Sequence, residues 1–253
     1  MTTHVQTAIG KFVWHDNITT EAEAAKSFYT PLFGWELEVM NVGGNDYPMI
    51  KSGGRSHGGF GPAQGGAPPH WLVHVLVEDV DATAERAKSA GGRVVAEPFD
   101  IPDIGRMALI GDPQGASLSA FQAAGEPDMP PAEGVFVWDE LMTTDVEDAK
   151  RFYGEVFGWT SKDMDMGELG TYTLFKRAGD VDVSGLMQTP EGLDAPPNWL
   201  VYIATDDVDE TVARAEELGG STIQEAMDFP TVGRLAVLRD PLGAVFGVFK
   251  PTG

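Results

Sequence analysis

The sequence predicts a mixed α+β protein built as a tandem duplication. Three observations carry this: aromatic motifs that recur at a fixed offset, a helix pattern after each leading strand, and alternating strands closed by Asp-Pro-x-Gly turns. Phe12-Val13-Trp14 recurs as Phe136-Val137-Trp138. Phe28-Tyr29 with Phe33-Gly34-Trp35 recurs as Phe152-Tyr153 with Phe157-Gly158-Trp159, always 124 positions later. Pro68-Pro69-His70-Trp71-Leu72-Val73 matches Pro196-Pro197-Asn198-Trp199-Leu200-Val201, and Asp112-Pro113-Gln114-Gly115-Ala116 matches Asp240-Pro241-Leu242-Gly243-Ala244, now at an offset of 128. The extra residues therefore fall between Trp159 and Pro196, in loops. Between the copies runs Gly125-Glu126-Pro127-Asp128-Met129-Pro130-Pro131, whose prolines cannot continue a strand or helix, giving domains 1–126 and 127–253.

Each half divides into two pieces. A strand around Phe12 leads to Thr20-x-x-Glu23, a capping-box pattern, followed by Ala25, Phe28, Tyr29 and Leu32 at helical spacing and a stop at Phe33-Gly34. Thr144-x-x-Glu147, Ala149, Phe152, Tyr153 and Val156 repeat it. In the second piece Val73, Val75 and Val77 alternate along a strand, Val80, Ala84 and Ala87 form a helix stopped by Gly91-Gly92, and two strands flank the Asp112 turn. Four such pieces, with helices covering one face of curved sheets, give the α+β class.

Composition narrows the function. With 39 acidic and 17 basic residues the net charge is −22, so the surface repels nucleic acid and anionic lipid. The absence of cysteine excludes disulfides, thiolate metal sites and thiol catalysis. There is no apolar run of membrane-spanning length, and the start lacks the layout of a secretory signal, so a cytoplasmic protein is expected. No Walker, dinucleotide or Gly-x-Ser-x-Gly pattern is present, and Gly58-Gly59-Phe60-Gly61 reads as a turn.

A strand leading to an acidic helix start, then Phe-Tyr, Phe-Gly-Trp and a closing Asp-Pro-x-Gly-Ala turn, all seen twice, resembles the vicinal oxygen chelate superfamily of glyoxalases, bleomycin-resistance proteins and extradiol dioxygenases. The resemblance implies two paired βαβββ modules in each half, forming an eight-stranded half-barrel cleft with helices on the outer face. It also implies metal positions seven residues before the acidic helix start and four after the turn glycine. These fall on Trp14, Trp138, Leu72, Leu200, Ser119 and Gly247, none a good ligand for a divalent ion. No cofactor is expected. A divalent metal stays open through a one-residue frame shift, since His15, Asp16 and Asn17 break the alternation and hint at a bulge.

Several residues are candidates for the site. His74 alternates with Val73 and Val75, on the face that lines the cleft in the resembled fold; it reads either as a histidine satisfied by its neighbours or as a substrate and proton-transfer contact. Its counterpart is Tyr202. His15 beside Asp16 could form an acid–base pair or a solvated strand end, and Trp14 and Trp138 an aromatic platform or core packing. Arg106 could bind a carboxylate or enolate oxygen or form a structural salt bridge, and Tyr47, with Tyr172 at a similar point on the second strand, could line the cleft or pack. The expected function is metal-independent binding of a small aromatic or carbonyl-containing molecule, by a monomer or homodimer. The alternative is a lyase, isomerase or dioxygenase-like enzyme using His74, His15 and Asp16.

Overall fold

The computed structural model describes residues 8–125, 135–167, 170–190, 192–193 and 195–252. The elements are β1 (Phe12–Thr19), α1 (Ala22–Phe33), β2 (Glu36–Val42), β3 (Asn45–Ser52), β4 (Arg55–Pro62), β5 (His70–Leu76), α2 (Val80–Ser89), β6 (Arg93–Ile101), β7 (Gly105–Gly111) and β8 (Ser117–Ala123) in the first half. The second half repeats them as β9 (Phe136–Thr143), α3 (Val146–Phe157), β10 (Thr160–Asp165), β11 (Thr171–Arg177), β12 (Val181–Gln188), β13 (Asn198–Ala204), α4 (Val208–Glu217), β14 (Ser221–Phe229), β15 (Gly233–Arg239) and β16 (Val245–Pro251). The strands form two eight-stranded sheets, β2-β3-β4-β1-β5-β8-β7-β6 and β10-β11-β12-β9-β13-β16-β15-β14. Within every module the strand before the helix pairs parallel with the last strand, and the remaining pairings are antiparallel. This is the α+β βαβββ architecture the sequence predicted.

Among the described residues three of four helices start on an aspartate, because a carboxylate both accepts the free N–H groups of the first turn and meets the positive helix end. Asp79, Asp145 and Asp207 accept from Ala82, Asp148 and Glu210 at 2.9–3.0 Å. The expected capping boxes are therefore displaced by one residue: Asp145, not Thr144, caps α3, and α1 starts after Glu21 with no side-chain cap. Gly34 and Gly158 end α1 and α3 in the left-handed conformation, at φ 66° and 69°, as the Phe-Gly pattern required. Equivalent residues drift from an offset of 124 at the tryptophans to 125 at Tyr47 and Tyr172, 126 at Gly59 and Gly185 and 128 at Trp71 and Trp199, so the insertions are spread over the β10–β11, β11–β12 and β12–β13 connections.

The chain forms two compact units. One comprises Met1–Val13, Val73–Met129 and Trp138–Trp199; the other comprises Trp14–Leu72, Pro130–Val137 and Leu200–Gly253. Each unit thus joins one module from each sequence half. The sequence boundary after residue 126 lies outside the described residues. In the first unit Val80 and Ala84 of α2 pack on Ala108 and Ala120 with Val77, and Phe157 of α3 closes over them. Tyr153 Oη donates to Asp112 Oδ2 at 3.1 Å, and Trp199 Nε1 donates to Tyr153 Oη at 3.1 Å. The other oxygen of Asp112 accepts the N–H groups of Gly115 and Ala116 at 2.7 and 2.9 Å. In the second unit Tyr29 donates to Asp240 at 3.0 Å and receives Trp71 Nε1 at 3.1 Å, while Asp240 holds the amides of Gly243 and Ala244. The two motifs that betrayed the duplication are each other's partners, always across halves. Both tyrosines are fully buried, and desolvation, then the neighbouring aspartate, pushes their phenols well above the ordinary range. Among the described residues no helix is long and apolar enough to cross a membrane.

Candidate functional site

Strand alternation places Trp14 and Asp16 on one face of β1, while Val13, His15, Asn17 and Thr19 point to the other and are buried. In the second unit, β3 lies beyond β4 on the same sheet, with Asp16 in register with Gly59 and Gly59 with Met49. Tyr47 on β3 therefore has to cross β4 to reach β1. It does so over a glycine: a Cβ on Gly59 would stand 2.1 Å from Tyr47 Oη. Trp14 Nε1 donates to Tyr47 Oη at 2.7 Å and to Asp16 Oδ1 at 3.1 Å, and Tyr47 Oη donates to Asp16 Oδ1.

The first unit repeats the constellation. Trp138 Nε1 donates to Tyr172 Oη at 2.9 Å, and Tyr172 Oη donates to Glu140 Oε2 at 2.8 Å. Tyr172 crosses β12 over Gly185, whose Cβ would meet Tyr172 Oη at 1.8 Å. Both phenols are held protonated, chiefly by desolvation and then by the carboxylate beside them. Each trio thus spends its indole N–H and phenol O–H on the tyrosine and the carboxylate within it.

Two sequence expectations need correction here. Gly58-Gly59-Phe60-Gly61 is not a turn but the middle of β4, glycine-rich because His15's carbonyl and Tyr47's hydroxyl press on it. Tyr47 and Tyr172 stand on the third strand of their modules, not the second. The signals that could have found the whole trio were present: Asp16 and Glu140 share the 124-residue offset of the tryptophans, and Gly59 and Gly185 match in the repeat.

His15 and Asp16, as consecutive strand residues, point to opposite faces. The His15 ring stacks on Phe136 with centroids 4.1 Å apart, among the aromatic side chains Trp35 and Trp71 that also meet Phe136. No bulge appears, because His15–Thr19 pair with Gly58–Pro62 without a register shift, so the frame stays on Trp14. His74 is buried in register with Ser119, itself in register with Leu109. Side chains in register share a face. On this one Phe121 and Met107 follow, and Phe99 ends the row 45% exposed, an apolar wall turned away from α2. In the second unit Tyr202 stands in register with Gly247, and a Cβ on Gly247 would lie 2.2 Å from the tyrosine ring. Arg106 is engaged by carboxylates, donating to both oxygens of Asp81 at 2.7 and 2.9 Å and to Asp100 at 2.8 Å. Arg234 repeats this with Asp209 and Asp228.

The residues at the metal positions do not fit a divalent ion. An indole nitrogen is a donor only, and those of Trp14 and Trp138 are used on tyrosines. Leu72 and Leu200 carry no donor atom. At Gly247 the Tyr202 ring takes the space in which a liganding side chain would begin. Among the described residues no three His, Asp or Glu side chains gather as a metal cluster.

Comparison with known proteins agrees with this fold. CFP32, a candidate glyoxylase of Mycobacterium bovis, is 41% identical over 246 residues, covering 94% of each chain. The anthracycline biosynthesis protein DnrV of Streptomyces peucetius is 34% identical over 264 residues, covering 96% of this chain and 94% of its own. Among solved structures, homoprotocatechuate 2,3-dioxygenase from Brevibacterium fuscum in complex with 3,4-dihydroxyphenylacetate superposes with a TM-score of 0.64 at 17% identity, covering 97% of this chain and 83% of that one. The Mn(II)-bound glyoxalase from Novosphingobium aromaticivorans does so with a TM-score of 0.59 at 18% identity, covering 96% and 81%. The family model matches residues 12–119 and again 136–248, so this chain belongs to the Glyoxalase/Bleomycin resistance protein/Dioxygenase superfamily.

Proposed function

We propose that this chain binds a small aromatic molecule without a metal ion, and that the Trp–Tyr–carboxylate trio is the binding element. One observation carries the reading: positions expected to supply metal ligands instead support an organic hydrogen-bond network, built twice and made possible by Gly59 and Gly185. Of the two ligand chemistries expected from the sequence, aromatic and carbonyl, the trio favours the aromatic. Its donors are consumed internally, so it has little to offer a carbonyl oxygen, while the half-buried indoles offer flat faces. Beside the buried His74 and Ser119, the row of Leu109, Met107, Phe121 and Phe99 gives the first unit a second surface, mostly apolar, that suits the same ligand class. Arg106 is assigned to the structural salt bridge rather than to ligand.

Fluorescence titration of the tryptophans with aromatic compounds, in excess EDTA and again in excess Mn²⁺, tests this. The reading expects equal affinity in both; affinity that appears only with the ion would overturn it. Turnover is the second reading. The buried His74 in register with Ser119 favours it, as do relatives whose names point to glyoxylase and dioxygenase chemistry. In that case His74→Ala abolishes turnover and leaves binding intact.

A further inference from the structure

We infer that Lys11 and Arg177 form an oxyanion site in the first unit, one that takes a phosphate group carrying two negative charges. Trp159 Nε1 donates to the carbonyl of Gly10 at 3.0 Å, while Gly10 N donates to Leu76 O at 2.8 Å and Leu76 N to Lys11 O at 2.9 Å. The segment leading into β1 is thereby pinned from two sides, beside the end of β11. A Cβ on Gly10 would lie 3.7 Å from Arg177 Cβ. Lys11, the next residue, feels the guanidinium: desolvation first, then the charge of Arg177, lowers its ammonium below the ordinary lysine range. Like charges at this range repel, and among the described residues neither side chain has a hydrogen bond or ion pair to set against that.

Carboxylates are not scarce in a chain with 39 acidic and 17 basic residues, and Lys176, next to Arg177 on β11, is held by Asp180 and Asp182. Arg177 turns the other way. The extra residue of the β11–β12 bulge lies on β12, so β11 keeps its alternation, and Arg177 shares the face of Phe175, which packs on Tyr153 and Trp159. Tyr172 is on the opposite face, so this site is separate from the trio and does not rest on the aromatic reading. Arg177 is half-buried, and its Nε is shut off from solvent with no acceptor among the described residues. A buried N–H in that condition points to an acceptor from outside the chain. The planar guanidinium fork matches two oxygens of a phosphate and the ammonium adds a point charge, so the pair balances a dianion rather than a single carboxylate. The net charge of −22 repels anions at long range, but physiological salt screens charges beyond about 8 Å, which leaves the adjacent cations to decide. In the second half the equivalent positions are Val135 and Ser52, at offsets of 124 and 125, so the pair belongs to one copy alone.

Calorimetry of the full chain with inorganic phosphate and with acetate, in EDTA and at a mildly alkaline pH where phosphate is a dianion, reads the proposal directly. Phosphate is expected to bind with one equivalent per chain, at least about tenfold tighter than acetate. Lys11→Val/Arg177→Ser, which copies the second half, is expected to abolish that binding, whereas Lys162→Met, at an exposed lysine of β10, is expected to leave it unchanged. A second readout needs no substitution: in protein with isotopically dimethylated lysines, saturating phosphate is expected to raise the titration midpoint of Lys11, because a bound dianion favours the charged amine. Absence of saturable phosphate binding, equal affinity for acetate, or a loss in Lys162→Met as large as in the double variant would overturn the inference. A Lys11 midpoint unmoved by phosphate would overturn it too. The wild-type comparison of the two anions stands even if the double variant misfolds, and none of these outcomes bears on the trio, which is probed with aromatic compounds.

Discussion

The second module of each half sets β5 against β8 and β13 against β16 in the same register, but His74 opposes Ser119 in one and Tyr202 opposes Gly247 in the other. The faces turned toward the helices have barely changed, with Val75, Ala108 and Ala120 matched by Ile203, Ala236 and Val248, all nearly inaccessible. Divergence is concentrated on the faces that do not pack on helices. The halves therefore act as controls for one another: a residue moved from one copy to its equivalent shows which differences the skeleton tolerates.

The largest effect is expected where a side chain is added under Tyr202. Gly247→Ser, which copies Ser119, forces the ring to move and is expected to destabilise by about 2–3 kcal/mol in a urea titration. The double variant Gly247→Ser/Tyr202→His, copying the first half, is expected to recover most of that loss. The converse Ser119→Gly is expected to cost less than about 1 kcal/mol. Equal losses at the two positions would break the comparison.

Next come the buried tyrosine clasps. Tyr29→Phe and Tyr153→Phe each leave a buried aspartate and an indole N–H short of a partner, and each is expected to cost about 1–3 kcal/mol. The clasps also set a pH dependence. Their phenols keep the proton in the folded chain well above the range in which the unfolded chain releases it. Stability from these groups is therefore complete below about pH 10 and is lost as pH rises beyond it. Each Phe variant is expected to flatten that alkaline slope by about one proton, measured as urea midpoints between neutral and alkaline pH.

A smaller effect, opposite in sign, is expected at Asn17. It is fully buried on β1, and among the described residues neither its amide nitrogen nor its carbonyl oxygen has a partner, while its equivalent Leu141 is an ordinary core residue. Asn17→Leu is expected to stabilise by about 1–2 kcal/mol, and a loss would show that the amide is satisfied by something within the core. The smallest effect lies at a hairpin tip. Thr231 has φ 67° where the equivalent Asp103 has φ 62°, a conformation that a β-branched residue adopts at a cost. Thr231→Asp is expected to raise stability by about 0.5–1 kcal/mol.

Much of the fold was legible because it is local. The spacing of Ala25, Phe28, Tyr29 and Leu32 gave the buried stripe of α1, and Gly34 its end. What was not legible is long-range. Nothing in the chain announces that Tyr29 meets Asp240, 211 residues away, in place of the aspartate of its own half. The glycines of β4 imitate a turn because the reason for them, a tyrosine crossing from β3, exists only once the strands pair. The candidate site was half visible: Trp14, Asp16 and Tyr47 were named singly, but period-two alternation already argued against joining His15 to Asp16. For Arg106 the sequence left a ligand contact and a salt bridge both open, because its partners, Asp81 and Asp100, lie on other elements.

The central claim is that a Trp–Tyr–carboxylate network stands where a metal would be, and native mass spectrometry of the chain titrated with Mn²⁺ tests it most directly. The account expects the metal-free mass to persist through stoichiometric Mn²⁺, with wild type and Asp16→Asn indistinguishable. A stoichiometric ion retained by wild type and lost in Asp16→Asn would contradict it.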